Sequence, residues 1–207
     1  NLNAPTGFQF YRDGVLLMQG PDVLFVRDTD GDGRGDWHER VLMGMDSADS
    51  HHATNAMALD PGGAVYLSDG VFHRTQVETA RGPVRTADGA IFRFEPRTGV
   101  FETHVKYGFA NPHGKVFDRW GNDLVTDATG NNTYFAPAFS GRLDSGDHAP
   151  LKEFWARPSR PSPGTAILSS RHFPDDWQGN FLNCNVISFH GIFRARVTED
   201  GSGLKGD

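Results

Sequence analysis

The chain has a single cysteine, Cys184, among 207 residues. No internal disulfide can form, and no Cys-x-x-Cys-His occurs, so this segment carries no haem attachment site. Cys184 falls in a predicted strand, where an inert, buried thiol is expected. No apolar run reaches the roughly 18 residues that a transmembrane helix needs, and no signal peptide is visible. Lys and Arg number 20 against 26 Asp and Glu, for a net charge of −6. That balance excludes general nucleic-acid binding, which rests on neutralising phosphates with basic side chains. No Gly-x-Ser-x-Gly elbow and no P-loop are present. Windows long enough for a helix are scarce as well. The 25 Gly and 12 Pro are spread throughout, and the longest stretch free of both, Met45 to Asp60, lacks an apolar stripe.

What is present is a repeat. Asp60-Pro61-Gly62-Gly63, Asp118-Arg119-Trp120-Gly121 and Asp176-Trp177-Gln178-Gly179 all read Asp-x-x-Gly, spaced 58 residues apart both times. The next residues correspond too. Ala64–Asp69, Asn122–Asp127 and Asn180–Asn185 each read as a short strand ending in a polar residue. A turn-plus-strand unit of this period is what a β-propeller blade needs, with about four strands per blade. The fold class is therefore all-β: a partial β-propeller of about three and a half blades, where a closed ring has roughly 4–8. Units fall at roughly 1–50, 51–108, 109–162 and 163–207. Trp155 and the Pro-rich Arg157–Gly164 separate the third from the fourth. Asn1 is not an initiator Met and the last residues are turn-like, so the chain reads as a fragment that does not close a ring by itself.

Strand signals are dense. Val15–Met18 and Val23–Val26 form a hairpin through Gly20-Pro21-Asp22. Ile91–Phe94 and Val100–Val105 flank the turn Glu95–Gly99 and alternate as half-buried strands do. After Val26 comes a loop with calcium-ligand spacing. Counting from Asp28, acids stand at positions one (Asp28), three (Asp30), five (Asp32) and nine (Asp36), Gly33 at six and Glu39 at twelve. A hard cation takes six to eight oxygens, and only a tight loop gathers short Asp side chains around one point. Arg34 would add its backbone carbonyl. Strand-like residues flank the loop where an EF-hand has helices, so structural calcium on a β-hairpin loop is expected.

Polar clusters adjoin the repeated strands. Ser50–Asn55 and Phe109–Gly114 precede two of the turns, while Ser68-Asp69-Gly70 with His73 and Arg74, and Thr126–Asn132, close two strands. Equivalent loops of a propeller converge on one face. Histidine near a carboxylate in such a mouth is a general-base candidate, which singles out His52 and His113. Asn131-Asn132-Thr133 is a glycosylation sequon.

His52–Tyr66 resembles a motif of the soluble glucose/sorbosone dehydrogenase family that uses pyrroloquinoline quinone (PQQ), in which a His before a Gly-Pro-Asp-Gly turn takes the substrate hydroxyl proton. Asn111-Pro112-His113-Gly114 resembles that family's Arg-Asn-Pro-x-Gly, which helps hold the quinone. Ala110 stands where that motif has an Arg that pairs with the anionic cofactor. Phe109–Asn122, Thr126–Gly130, Pro163-Gly164-Thr165, His172-Phe173-Pro174 and Asn183-Cys184-Asn185 resemble the propeller domain of planctomycete-type, haem-binding membrane-bound dehydrogenase proteins. This second resemblance spans nearly the whole chain. It implies an exported protein, periplasmic or extracellular, whose six-bladed, glucose-dehydrogenase-like propeller is joined to a c-type haem domain of the same longer chain, with no membrane contact by this segment.

Two readings follow. In the first, a sugar or other alcohol sits at the propeller mouth. His52 removes its proton, His113 and Asp127 act with it, and Asn111, Asp69 and Arg74 serve substrate or quinone. In the second, a non-catalytic, calcium-stabilised propeller binds glycans or partner proteins.

Overall fold

The glycine of each Asp-x-x-Gly turn takes a left-handed backbone, with φ of 88° at Gly63, 83° at Gly121 and 75° at Gly179. Only glycine enters that region without a steric penalty. The computed structural model describes residue 2 and residues 4–130, 132–137, 152–156 and 164–207. The Pro-rich stretch over 157–163 and Asn131 of the sequon lie outside the described residues. The first two turns are built alike. Asp60 Oδ1 accepts the amides of Gly62 (2.8 Å) and Ala64 (3.0 Å), and Asp118 Oδ1 accepts those of Trp120 (2.8 Å) and Asn122 (2.9 Å). An Asp side chain closing its own turn explains the first letter of the motif. The third turn differs: a short 3-10 turn over Asp175–Trp177 leads into Gly179, whose amide donates to Leu168.

Among the described residues, four antiparallel sheets of three or four strands follow one another along the chain. The first runs β1 (Gly7–Tyr11), β2 (Gly14–Gln19), β3 (Asp22–Arg27) and β4 (Trp37–Met43), in that order. The second uses β5 (Asn55–Leu59) and β6 (Val65–Asp69), then, after a hairpin of β7 (Gln76–Thr79) and β8 (Gly82–Arg85), β9 (Gly89–Glu95) and β10 (Val100–Phe109). Its order is β10-β9-β6-β5. The third is β11 (Pro112–Phe117), β12 (Asp123–Asp127) and β13 (Asn132–Phe135). The fourth is β14 (Thr165–Ile167), β15 (Phe181–Asn185) and β16 (Gly191–Ala195), followed by a hairpin of β17 (Val197–Asp200) and β18 (Gly203–Gly206). The repeated strands β6, β12 and β15 keep the 58-residue spacing at both ends. The first strands of successive sheets are neighbours: β1 lies beside β5, β5 beside β11, and β11 beside β14. Sheets succeeding one another with their first strands adjacent are a partial β-propeller.

Apolar side chains fill the seams between sheets. Leu16, Met18 and Leu42 of the first meet Val65, Leu67 and Phe92 of the second. Tyr66, Ile91 and Phe109 of the second meet Val125 of the third. Leu124 of the third packs with Phe154, Phe181 and Ala195. Alternate residues of β6 therefore enter different seams, because side chains on a strand point to opposite faces. This corrects the half-buried reading of β9. Ile91 and Phe92 are both fully buried, because the second sheet is covered on both sides. Cys184 is half-buried in β15.

The seam between the second and third sheets also contains charge. Lys115 of β11 is buried and paired with Asp123, which His104 Nε2 also reaches at 2.8 Å. The rings of Tyr66 and Phe117 lie 4.8 and 4.7 Å from the Lys115 Nζ. Burial pulls Lys115 well below the usual lysine range, against the pull of the Asp60 carboxylate.

Candidate functional site

The starts of β5 and β11 and the ends of β6 and β12 lie at one end of the second and third sheets. The loops joining them interlock. Gly70 N donates to the His52 carbonyl at 3.1 Å, and Val71 N to the Ala110 carbonyl at 2.8 Å. A Cβ on Gly70 would lie 2.8 Å from His52 Cβ and 3.2 Å from the Ala110 oxygen. Only a residue without a side chain lets these three loops meet.

The polar residues that end the repeated strands brace this end. Asp69 is fully buried. Its Oδ1 accepts the Thr54 hydroxyl at 3.0 Å and meets His73 Nδ1 at 2.6 Å, while Oδ2 accepts the Thr75 hydroxyl at 2.7 Å. His73 Nε2 faces the Asp49 carbonyl at 2.9 Å. Both partners of this imidazole are acceptors, so both ring nitrogens donate and the ring is protonated. Burial alone would lower the His73 pKa. The hydrogen bonds to Asp69 and to the Asp49 carbonyl outweigh it, and the pKa is pushed up to about 9. A folded pKa above the unfolded value of 6.5 contributes stability that is complete below about pH 6.5 and is lost as pH rises through about 9. The melting temperature should therefore fall between those values, and a His73→Gln protein, measured across the same range, should lose that part of the slope. A slope left unchanged by the substitution would show that His73 does not carry it.

Asp127 occupies the same strand position as Asp69 but is used differently. Its carboxylate accepts the amides of Ala110 (2.7 Å), Asn111 (3.1 Å) and Thr129 (3.1 Å), which fixes the loop leading to His113. The third counterpart, Asn185, donates its amide to the carbonyls of Ile187 and Phe189 at 2.6 Å.

Against this frame sits His52. Its Nδ1 meets Asp49 Oδ2 at 2.9 Å. The hydrogen bond from His52 is the largest cause holding the Asp49 carboxyl below its ordinary value. Donation from Nδ1 to a carboxylate leaves Nε2 as the lone-pair nitrogen, the arrangement of a general base with its orienting acid. His51 and Phe72 pack edge-on against the His52 ring at 4.7 and 5.4 Å. Phe72 is exposed and has φ of 76°, a strained backbone for a bulky residue. Asp88 Oδ1 accepts its amide at 3.1 Å. His113 is half-buried and lies close enough to His51 and His52 to feel their charges. Burial, first, and those two histidines lower its pKa against the pull of Asp127. The Asn111 side-chain oxygen is buried with no partner among the described residues.

The structure thus brings His52, His113, Asn111 and Asp127 to one end, with Asp127 acting on backbone amides. Asp69 lies inside, its carboxylate occupied. The Arg74 amide donates to Asp46 Oδ2 at 2.6 Å, and its guanidinium has no partner among the described residues. Sequence reasoning missed Asp49 as the partner of His52, although a carboxylate three residues before a histidine was a visible signal. Nothing in the sequence marked Phe72.

The acidic loop lies between β3 and β4. Carboxylate oxygens of Asp28, Asp30 and Asp32 all lie within 4.8 Å of one another, and all three residues are exposed. Asp28 accepts the amides of Gly31 (2.6 Å) and Gly33 (2.8 Å), which hold its carboxyl below the ordinary range. The Arg34 amide donates to Asp32 Oδ1. Asp36 instead binds the Thr29 amide and hydroxyl, and Glu39 lies in β4 opposite Phe25. Pairing with β3 draws position twelve of the loop into the sheet.

A family model described as Domain of unknown function (DUF7133) matches residues 1–153. No curated protein matches the sequence. Among solved structures the chain is similar to a candidate gluconolactonase, at 16% identity and a TM-score of 0.55, covering 97% of this chain and 62% of that one. It is similar to a luciferin-regenerating enzyme at 12% identity and a TM-score of 0.51, covering 86% and 54%. A PQQ-bound aldose sugar dehydrogenase from Streptomyces coelicolor matches at 12% identity and a TM-score of 0.43, covering 100% and 82%. The first two likenesses show the fold, and this chain spans less than two thirds of either structure.

Proposed function

We propose that this chain, which belongs to the DUF7133 family, is the propeller segment of a dehydrogenase-like protein that oxidises a sugar or other alcohol. The observation that carries this reading is the Asp49–His52 dyad beside the half-buried His113. A substrate hydroxyl gives its proton to His52 Nε2, and the imidazolium that forms is balanced by Asp49. His113 and the free oxygen of Asn111 orient neighbouring hydroxyls, and Asp127 keeps their loop in place. Asn111 and Arg74 are the residues of this segment that would hold PQQ, which supplies a hydride acceptor when bound. With Ala110 in place of a cation, Arg74 carries the charge pairing alone. In line with the family resemblance, electrons would leave to a c-type haem domain elsewhere in the same longer chain of an exported protein. Among the described residues no helix is long and apolar enough to cross a membrane. The test is reduction of a redox dye by the intact protein over a panel of sugars and alcohols, with PQQ and calcium added. Reduction that needs both substrate and quinone supports the reading, and none across the panel removes it.

Calcium would bind at Asp28, Asp30 and Asp32, whose carboxylates already converge, and would relieve their mutual repulsion. Millimolar calcium should then raise the melting temperature by a few degrees, with EDTA reversing it and Asp30→Asn abolishing it. An unchanged melting curve would leave an acidic, solvated loop.

A second reading draws on Ala110: a non-catalytic propeller, stapled by calcium, that binds glycans or a partner protein. Ala110 offers no charge to pair with an anionic cofactor, which favours this reading.

A further inference from the structure

We propose that the groove between the third and fourth sheets, at the end of β12 opposite His52, is a binding site for a neutral oligosaccharide. The proposal does not depend on the oxidation reading. β12 runs from Asp123, at the Asp-x-x-Gly turn, to Asp127, at the His52 end. At about 3.3 Å per residue, the two ends are roughly 13 Å apart. The groove has a volume of about 910 Å³. Its floor is apolar, from Ile167, Leu168, Val197 and Leu204.

The rim carries the chemistry. Trp120 is 75% exposed, the most exposed large apolar side chain among the described residues. The Arg119 guanidinium lies 4.7 Å from its ring centroid, covering one face, so the exposure belongs to the other. The fold does not require this indole. The same turn is built around Gly62 one repeat earlier, with the same Asp hydrogen bonds, and the third repeat has Gln178 there. An exposed tryptophan without a structural task, at the edge of a groove, marks a contact surface.

The polar groups around it are free. The side chains of Arg119, Asp175, Glu199 and Ser169 line the groove and make no hydrogen bond or ion pair among the described residues. Asp118, by contrast, is fully used by its own turn. A sugar ring offers a C–H face that packs on an indole and hydroxyls that donate to carboxylates and accept from a guanidinium. Two free carboxylates against one cation disfavour a phosphate-bearing or acidic ligand. A groove of this size holds two or more sugar rings, given the roughly 300–1,000 Å³ of ordinary ligand sites.

The experiment is a glycan array of neutral and acidic oligosaccharides probed with the intact protein and its variants. Wild type should bind a subset of neutral glycans. Trp120→Ala should lower that signal at least tenfold, Trp120→Phe should restore part of it, and Glu199→Gln should lower it several-fold. Because Trp120 lies at the end of β12 away from His52, loss of the signal in a well-folded Trp120→Ala protein places the binding in the groove and not at the mouth. The proposal is overturned if no neutral glycan is bound, if only acidic ones are, or if a well-folded Trp120→Ala protein binds normally.

Discussion

A His52→Ala protein should oxidise its sugar or alcohol substrate about 10²–10⁴-fold more slowly than wild type, the usual contribution of a positioned general base. The loss should fall on kcat, because His52 is assigned a role in moving the proton rather than in holding the substrate. Asp49→Asn should give a smaller loss. The amide still fills the space beside His52 Nδ1 but no longer balances an imidazolium, so the rate falls and the pH profile shifts while substrate affinity stays. Steady-state kinetics across pH, with substrate binding measured separately, decides this. If His52→Ala keeps the wild-type rate, His52 is not the base, and His113 becomes the group to test.

The second large effect is on stability. Asp123→Ala should destabilise the protein by about 3–5 kcal/mol, because it strips the buried Lys115 of its paired carboxylate, and the lysine must then either hold an uncompensated charge or give up its proton. His104, which shares that carboxylate, loses a partner in the same step. Lys115→Met should cost much less. Its methylene-rich side chain fits the space between Tyr66 and Phe117, and Asp123 keeps His104. The contrast is the prediction: denaturant unfolding should rank wild type close to Lys115→Met and both well above Asp123→Ala. Equal losses for the two substitutions would show that packing, not the uncompensated charge, sets the cost.

The repeat was the most legible feature because its cause is local. An Asp that closes its own turn and a Gly with positive φ are fixed by four residues, wherever the blade lies, so Asp60 to Gly63 and Asp118 to Gly121 could be read directly. Strands β2, β3, β9 and β10 were visible for the same reason, through apolar runs bounded by turn residues. Their burial was harder to read. Ile91 and Phe92 look like one half-buried face and one exposed face until a sheet lies on each side. β1 escaped because Phe8 and Phe10 are exposed while their neighbours are only partly buried, a weak pattern.

The candidate site was legible as residue types but not as contacts. His52 and His113 could be picked out, yet they are not 58 residues apart: the residue one repeat after His52 is Ala110. They come within electrostatic reach because Val71, Gly70 and Ala110 tie two neighbouring loops together, which is a long-range fact. The equivalence of Asp69, Asp127 and Asn185 was readable, but not what each does. Whether such a carboxylate faces a ligand or bonds to its own loops depends on partners such as His73 and Thr75, placed by the fold. The acidic loop shows the same limit, since the spacing of six ligand positions was in the sequence but the pull of β4 on Glu39 was not.

The most direct test of the quinoprotein reading is a calorimetric titration of PQQ into the intact protein, stripped of bound quinone and held in calcium. The account predicts saturable binding at micromolar strength or tighter, weakened by Asn111→Ala and by Arg74→Ala. No detectable heat and no binding would contradict it, and would leave the chain a propeller that recognises rather than oxidises.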